Sequence, residues 1–288
     1  TIKETIDVLI KNKYDVGLIE VHLYRPFSVK YLLDVLPESV KNIAVLDRTK
    51  EAGSIGEPLY LDIVSALKEK DITIVGGRYG LSSKNTTPSM IKAIYDMLDN
   101  PVNNFTVGIN DDVTNTSLEV KECFKSNNSH EYLIYGYGSD GMVSASKSII
   151  KLVGDNTNNY VQGYFQYDSK KSGGVTKTHL RFSSEKIRST YYVDSPELIV
   201  VTKDSYIESF DCYSNLNYGG TFILNTIKTK EELDKIMPNK FKRFLLDNNI
   251  NFYIINAHAL ALKCGLGNKI STIMQSVILY LTNIVYVV

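Results

Sequence analysis

Apolar and polar positions follow two alternating periods along the first hundred residues. Short β-branched runs at 16–21, 42–46 and 72–75 predict strands, and 3.6-residue patterns between them predict helices. Ser28 is placed to cap a helix running to Leu36. Pro58 opens one running to Lys68, and Thr87 followed by Pro88 opens one over 89–98. Between 99 and 129 the pattern dissolves into an asparagine-rich stretch with one apolar run, 105–107, so residues 101–128 are expected to be a linker. Alternation then resumes. Strands are predicted at 132–135, 160–167, 198–201, 221–224 and 252–255, with helices at 141–152 and 205–210 and a Thr229-x-x-Glu232 capping box opening another. The fold class is therefore α/β: two α/β domains with mainly parallel open sheets, the second doubly wound and Rossmann-like.

The last nineteen residues carry no charge, which raises the question of a membrane span. Ser271, Thr272, Gln275, Ser276, Thr282 and Asn283 recur at helical spacing opposite Met274, Val277, Ile278 and Leu281, and this predicts a docked amphipathic helix instead. A length of 288 residues suits two domains, and 43% hydrophobic with 22% charged residues excludes disordered and low-complexity classes. Thirty-two basic residues balance thirty-two acidic ones, so no net field draws the chain to nucleic acid or an anionic membrane. Cys123, Cys212 and Cys264 are too far apart for a cluster or disulfide framework and are expected as buried free thiols. The four histidines are scattered, so no metal site is expected. Thr1 begins no signal pattern, which points to the cytoplasm, and the missing initiator methionine to a processed or excised chain.

The strongest chemical signal is Gly136-Tyr137-Gly138-Ser139-Asp140-Gly141, a G-x-G-x-x-G between a predicted strand and a predicted helix. Such a turn lets free amides at the helix N-terminus meet a pyrophosphate. Ser139 adds a hydroxyl, and Lys147 lies two turns into the helix. After the next strand, Asp168 stands where an acid reading a ribose hydroxyl belongs, but Ser169, Lys170, Lys171, Ser172, Gly173 and Gly174 follow it at once. That basic turn suits an added ribose phosphate, as in 3′-phospho-ADP or NADP, and periodicity does not choose between them. Residues 165–190 hold six basic groups against two acidic ones. Within them, Thr176, Thr178, His179, Arg181, Arg188, Ser189 and Thr190 fit either a loop closing over a phosphorylated ligand or a set of structural hydrogen-bonders. The turns at 47–58 and 76–80 lie at strand ends and are read as ligand edges or as packing and contact surface.

The runs 23–28 (LYRPFS), 44–50 (AVLDRTK), 76–81 (GGRYGL), 105–113 (FTVGINDDV), 138–141 (GSDG), 154–157 (GDNT) and 162–174 (QGYFQYDSKKSGG) form a set with 179–182, 187–190, 265–267 and Met274-Gln275. Together they resemble the pyruvate:ferredoxin or flavodoxin oxidoreductase family, including its NADP-linked members, over essentially the whole chain. The resemblance implies a transketolase C-terminal-like domain II at 1–100, truncated at its N-terminus, the linker 101–128, and a gamma domain, or domain III, at 129–288. It implies a parent enzyme that converts pyruvate and coenzyme A to acetyl-CoA, CO2 and a reduced acceptor. Thiamine diphosphate and iron–sulfur clusters would be bound elsewhere in the parent. The segment itself would carry no catalytic residue and be inactive alone. Implied partners are the remaining domains, a second copy in a homodimer, and ferredoxin, flavodoxin or NADP by way of a reductase. The family links its gamma domain with coenzyme A, which assigns the phosphates of that substrate to Gly136, Gly138, Ser139, Asp140, Gly141, Lys147, Lys170 and Lys171. Where the family reads GLGSDGTVGANK, this chain departs at Tyr137, Met142, Ser144 and Ser146. The alternatives are domains that serve assembly only, or a free-standing NADP-binding dehydrogenase.

Overall fold

In a computed structural model, which describes all residues except 111–112, 122, 169–173 and 286–288, the chain divides into two units. The first comprises Thr1–Asn127 and Arg188–Tyr191, the second Asn128–Ile187 and Tyr192–Val288.

The first unit runs α1 (Ile2–Lys11), α2 (Val29–Val35), β1 (Asn42–Asp47), α3 (Pro58–Ala66), β2 (Thr73–Arg78), α4 (Pro88–Met97) and β3 (Phe105–Thr106). Its strands form a parallel sheet in the order β1-β2-β3. Ser28 accepts from the Tyr31 amide and Thr87 from the Met90 amide, so both helices start where their capping residues predict. The expected strand at 16–21 does not form: the segment joins no ladder of the sheet. β-branched residues favour extended backbone, but a strand also needs a neighbour to accept its hydrogen bonds.

The stretch 101–128, expected as a linker, supplies β3, buries Phe105 and Val107, and bridges Thr106 to Ser117. Its asparagines are structural, since the Asn103 side chain accepts from the Gly76 amide at 2.8 Å. The return segment is tied to α1 by the buried Glu4 carboxylate, which accepts from Ser126 at 2.5 Å, Ser189 at 2.8 Å and Tyr191 at 2.9 Å. Arg188 pairs with Asp7 and Thr190 with Thr1. These are the contacts of a fixed segment, not of a loop closing over a ligand.

The second unit runs β4 (His130–Tyr137), α5 (Met142–Asn156), β5 (Tyr160–Tyr167), β6 (Val175–Ser183), β7 (Leu198–Val201), α6 (Tyr206–Ser209), β8 (Thr221–Asn225), α7 (Lys230–Ile236), α8 (Asn239–Asp247), β9 (Asn251–Ile255), α9 (Ala257–Lys263) and α10 (Ile270–Thr282). The sheet order is β5-β6-β4-β7-β8-β9. β4, β7, β8 and β9 are parallel, and β5 and β6 form an antiparallel hairpin on one edge. α5 and α10 cover one face over Tyr132, Ile134, Leu198 and Val200. α6, α7 and α8 cover the other, over Leu133, Tyr135, Ile199 and Val201. α10 docks through Met274 and Ile278, as its amphipathic pattern predicts, and Gln275 donates to Ser148 at 3.1 Å. No helix among the described residues is long and apolar enough to cross a membrane.

Strand β6 falls where the sequence suggests an irregular basic stretch. Its polar residues are buried, and that hides the strand period. Arg181 is 2% exposed, donates to Glu131 at 2.6 Å and to Gln162 at 3.0 Å, and so puts a buried ion pair where an apolar core residue would stand. His179 Nδ1 accepts from the Val193 amide at 3.2 Å, and its ring stacks on Tyr192 at 4.9 Å. Burial first, then the Arg181 and Lys177 charges, push the His179 pKa down to about 4. The cysteine expectation holds for one residue: Cys212 is buried, with its thiol pushed up to about 12 by desolvation, whereas Cys123 and Cys264 are exposed.

Candidate functional site

The second unit reverses its winding between β4 and β7. β4 feeds α5 on one face and β7 feeds α6 on the opposite face, so their carboxyl ends form the switch point, the usual ligand crevice of an open α/β sheet. The Gly136–Gly141 turn forms one wall. Gly141 sits at φ +81 as the residue before α5, a left-handed conformation that costs glycine little. At Gly136 a Cβ would come within 2.7 Å of Thr176 Oγ1, so a side chain is excluded by the neighbouring strand.

Asp140 holds the turn together. Its carboxylate accepts from the Tyr137 amide at 2.6 Å, the Met142 amide at 2.9 Å and the Thr202 hydroxyl at 2.8 Å, so it bridges the two walls. The Asp140 amide donates to the Tyr137 carbonyl and the Gly138 amide to the Gly174 carbonyl. Fewer amides are therefore open to a ligand than the motif alone suggests. Those of Ser139, at φ +78, and Gly141 have no protein acceptor among the described residues. Met142 and Ser146, two of the departures from the family pattern, are packed inside.

The start of β6 lies at the same end of the sheet. β6 pairs Thr176 with Gly136 and Val175 with Tyr137, and the Gly138–Gly174 hydrogen bond of 3.0 Å joins the glycine turn to the end of the hairpin turn. Lys170 and Lys171 themselves lie outside the described residues. Lys147 is exposed, and its ammonium stands 5.5 Å from the Phe165 ring on β5.

Sequence reasoning missed the opposite wall. Thr202 closes on Asp140, and Asn225 donates to the Thr202 carbonyl at 3.1 Å while accepting from the Ala257 amide, which fixes the ends of β7, β8 and β9 together. Lys203 lies 4.9 Å over the Tyr137 ring and Lys177 lies 5.3 Å over Tyr135. Tyr206 is buried beside them, and its hydroxyl has no partner among the described residues. Burial raises its pKa, and Asp140, Tyr137 and Asp168 raise it further. The available signal was a Thr-Lys-Asp run ending an apolar strand, which acquires meaning only once β7 is known to adjoin β4.

The carboxyl edge of the first unit is closed by its own groups. Asp47 accepts from the Leu59 and Tyr60 amides at 3.1 Å each, and Arg78 donates to Glu57 at 2.6 Å. A Cβ on Gly77 would strike the Phe105 ring.

The second unit is thus a doubly wound sheet with a glycine turn at its switch point, the usual ligand position in such folds. The chain belongs to the pyruvate ferredoxin/flavodoxin oxidoreductase family: that family matches residues 131–287, and pyruvate:ferredoxin oxidoreductase core domain II matches 1–91. It is 48% identical over 290 residues to the pyruvate:ferredoxin oxidoreductase of Moorella thermoacetica, covering 99% of this chain and 25% of that protein. It is 42% identical over 297 residues to the pyruvate dehydrogenase [NADP(+)] of Cryptosporidium parvum, covering 15% of that protein. The chain thus spans about a quarter or less of the length of these relatives. Among solved structures, pyruvate oxidoreductase subunit PORC from Thermotoga maritima matches with a TM-score of 0.43 at 20% identity, covering 55% of this chain and 79% of that one.

Proposed function

We propose that this chain is part of an enzyme that oxidatively decarboxylates pyruvate to acetyl-CoA and CO2, and that its second unit, the gamma domain, holds the phosphorylated end of coenzyme A. The reading carries over the activity in the relatives' names and adds a role for the crevice. Its chief support is the hydrogen bond from Gly138 to Gly174, because Gly174 closely follows Lys170 and Lys171 in the sequence. The lysines pair with the ribose 3′-phosphate, and the Ser139 and Gly141 amides donate to the diphosphate at the N-terminus of α5. Thiamine diphosphate, which carries the carbanion chemistry, belongs to the remaining domains. Among the described residues no group of three or more His, Cys, Asp or Glu side chains is placed to hold a metal ion. Iron–sulfur ligation likewise belongs to the remaining domains. Ferredoxin, flavodoxin or NADP takes the electrons, and the enzyme works in the cytoplasm as a homodimer.

In the full-length enzyme, changing Lys170 and Lys171 together to Ala should weaken coenzyme A binding by more than ~2 kcal/mol, the scale of lost charge-assisted hydrogen bonds. Calorimetry with coenzyme A and dephospho-coenzyme A checks this, and unchanged affinity overturns the site. One observation favours a second reading, in which the unit serves assembly alone: Asp140 already occupies two amides of the turn and places a negative charge where a phosphate would sit. Under that reading wild-type enzyme binds both compounds equally.

A further inference from the structure

Strand β5 is the outer edge of the second unit's sheet, and its far side meets no strand among the described residues. Two hydrogen bonds fix which of its backbone groups are left over. The Asp168 amide donates to the Val175 carbonyl, and the Gly138 amide to the Gly174 carbonyl. With Tyr160 opposite Ser183, the hydrogen-bonded pairs of the antiparallel ladder fall on Tyr160, Gln162, Tyr164 and Gln166. Val161, Gly163, Phe165 and Tyr167 therefore turn their N–H and C=O groups away from β6, and these four amides have no acceptor among the described residues.

An open edge is a template for a further strand, and folded proteins blunt it with charge, proline, a bulge or a cover. Residues 160–167 read YVQGYFQY, without charge or proline, and pair with β6 in unbroken register, so no bulge is present. At eight residues the strand also exceeds the usual length of about five or six. The remaining device is a cover.

The chemistry beside the edge differs between its two faces. Val161, Gly163 and Phe165 lie under α5: a Cβ on Gly163 would strike Ile150, and the Lys147 ammonium stands 5.5 Å from the Phe165 ring. Lys151 follows one turn later on the helix. Both lysines are exposed, and neither pairs with a carboxylate among the described residues. On the opposite face Tyr160 and Tyr164 are 51% and 50% exposed, and the Tyr164 ring rests 5.1 Å from that of Tyr192.

We propose that the β5 edge is covered by an added strand from a segment of the parent polypeptide outside these 288 residues, one in which acidic side chains alternate with apolar ones. The side chains of such a strand point to the two faces in turn, as those of β5 do. Those over α5 meet Lys147 and Lys151, which favours Asp or Glu, and those on the opposite face pack on Tyr160 and Tyr164. The chain spans about a quarter of the length of its relatives, so a parent of that size has ample chain to supply the strand, and tethering raises its effective concentration.

Amide exchange in the full-length enzyme, read residue by residue, tests this because β5 carries its own control. The Gln162, Tyr164 and Gln166 amides are held by β6 in either case. Those of Val161, Gly163, Phe165 and Tyr167 should exchange roughly a hundredfold more slowly than open amides only where a strand has been added. Exchange of these four at the open rate overturns the proposal. Lys147→Glu with Lys151→Glu should speed the four by about tenfold while Gln162, Tyr164 and Gln166 stay slow, which shows β5 itself still folded. Protection of the four that survives the double change overturns the acidic partner. A carbodiimide, which joins a lysine amine to a touching carboxylate with loss of water, should link Lys147 or Lys151 to an Asp or Glu outside this chain, and the mass of the linked peptide identifies the segment. A link to Asp155 or Asp168 of a second copy would mean that two β5 edges pair with each other, and that result also overturns the proposal.

Discussion

Both units follow a strand with a helix-capping aspartate and then diverge. In each, an aspartate at the carboxyl end of a parallel strand caps the following helix: Asp47 for α3, Asp140 for α5. In the first unit the remaining charges are consumed internally, Arg78 by Glu57 and by Asn104, and the glycines of β2 are filled by Tyr60 and Phe105. In the second, Lys177 and Lys203 are parked on tyrosine rings and Tyr206 lacks a partner among the described residues. A strand end in an α/β sheet is therefore not a site by position alone. It becomes one where the chain leaves donors and cations that it does not itself satisfy.

The largest effect is expected where the units agree. Each buries one Arg–Glu pair at 2.6 Å, Arg78 with Glu57 and Arg181 with Glu131. Arg78→Met or Arg181→Met strands a buried carboxylate, and each should destabilise its own unit by ~3–5 kcal/mol. Hydrogen exchange read separately on peptides from β2 and from β6 should show the loss confined to the mutated unit. A loss of protection in both units from either change would break the picture of two independently closed edges.

The next effect belongs to the second unit only. Lys177, His179 and Arg181 recur along one face of β6, and burial, with the two neighbouring charges, keeps His179 neutral in the folded chain. Nδ1 accepts from Val193, so Nε2 carries the proton of a neutral ring. With the folded pKa lowered to about 4 from 6.5, the unfolded chain binds the proton first as pH falls. Stability is therefore complete above about pH 6.5 and declines toward pH 4, by ~3 kcal/mol in all. His179→Asn, which keeps an acceptor for the Val193 amide, should flatten that part of the acid limb. Denaturant midpoints at pH 7, 5.5 and 4.5 for both proteins measure it, and parallel declines would show that other groups carry the acid sensitivity.

The legibility of the sequence follows the same division. Elements built from local signals were readable, including the caps at Ser28, Thr87 and Thr229, the glycine turn before α5 and the amphipathic α10. Features that depend on distant neighbours were not. Residues 16–21 have strand propensity without a ladder, and in β6 the core residues Leu180 and Phe182 alternate with the equally buried His179 and Arg181, which masks the strand period. Phe105 reads as an isolated apolar spot in a polar stretch until β2 pairs with it. The glycine wall of the crevice announced itself by spacing. Thr202, Lys203 and Tyr206 reach it only through the strand order, which no local pattern encodes.

The smallest expected effect separates the two aspartates most sharply. Replacing either with Asn keeps one acceptor oxygen for the helix amides and removes a charge that favours the helix N-terminus, so Asp47→Asn and Asp140→Asn should each destabilise their unit by about 1 kcal/mol. At Asp47 nothing else should change. At Asp140 the lost charge also repelled any phosphate at the Ser139 and Gly141 amides, so on the proposed reading coenzyme A should bind a few-fold more tightly to a protein that is slightly less stable, and the gain should shrink as salt is raised. A weaker ligand in Asp140→Asn would mean that the carboxylate touches the ligand, as an acceptor from a ribose hydroxyl does. In that case Asp140 binds substrate as well as capping α5, and its likeness to Asp47 ends at the helix it starts.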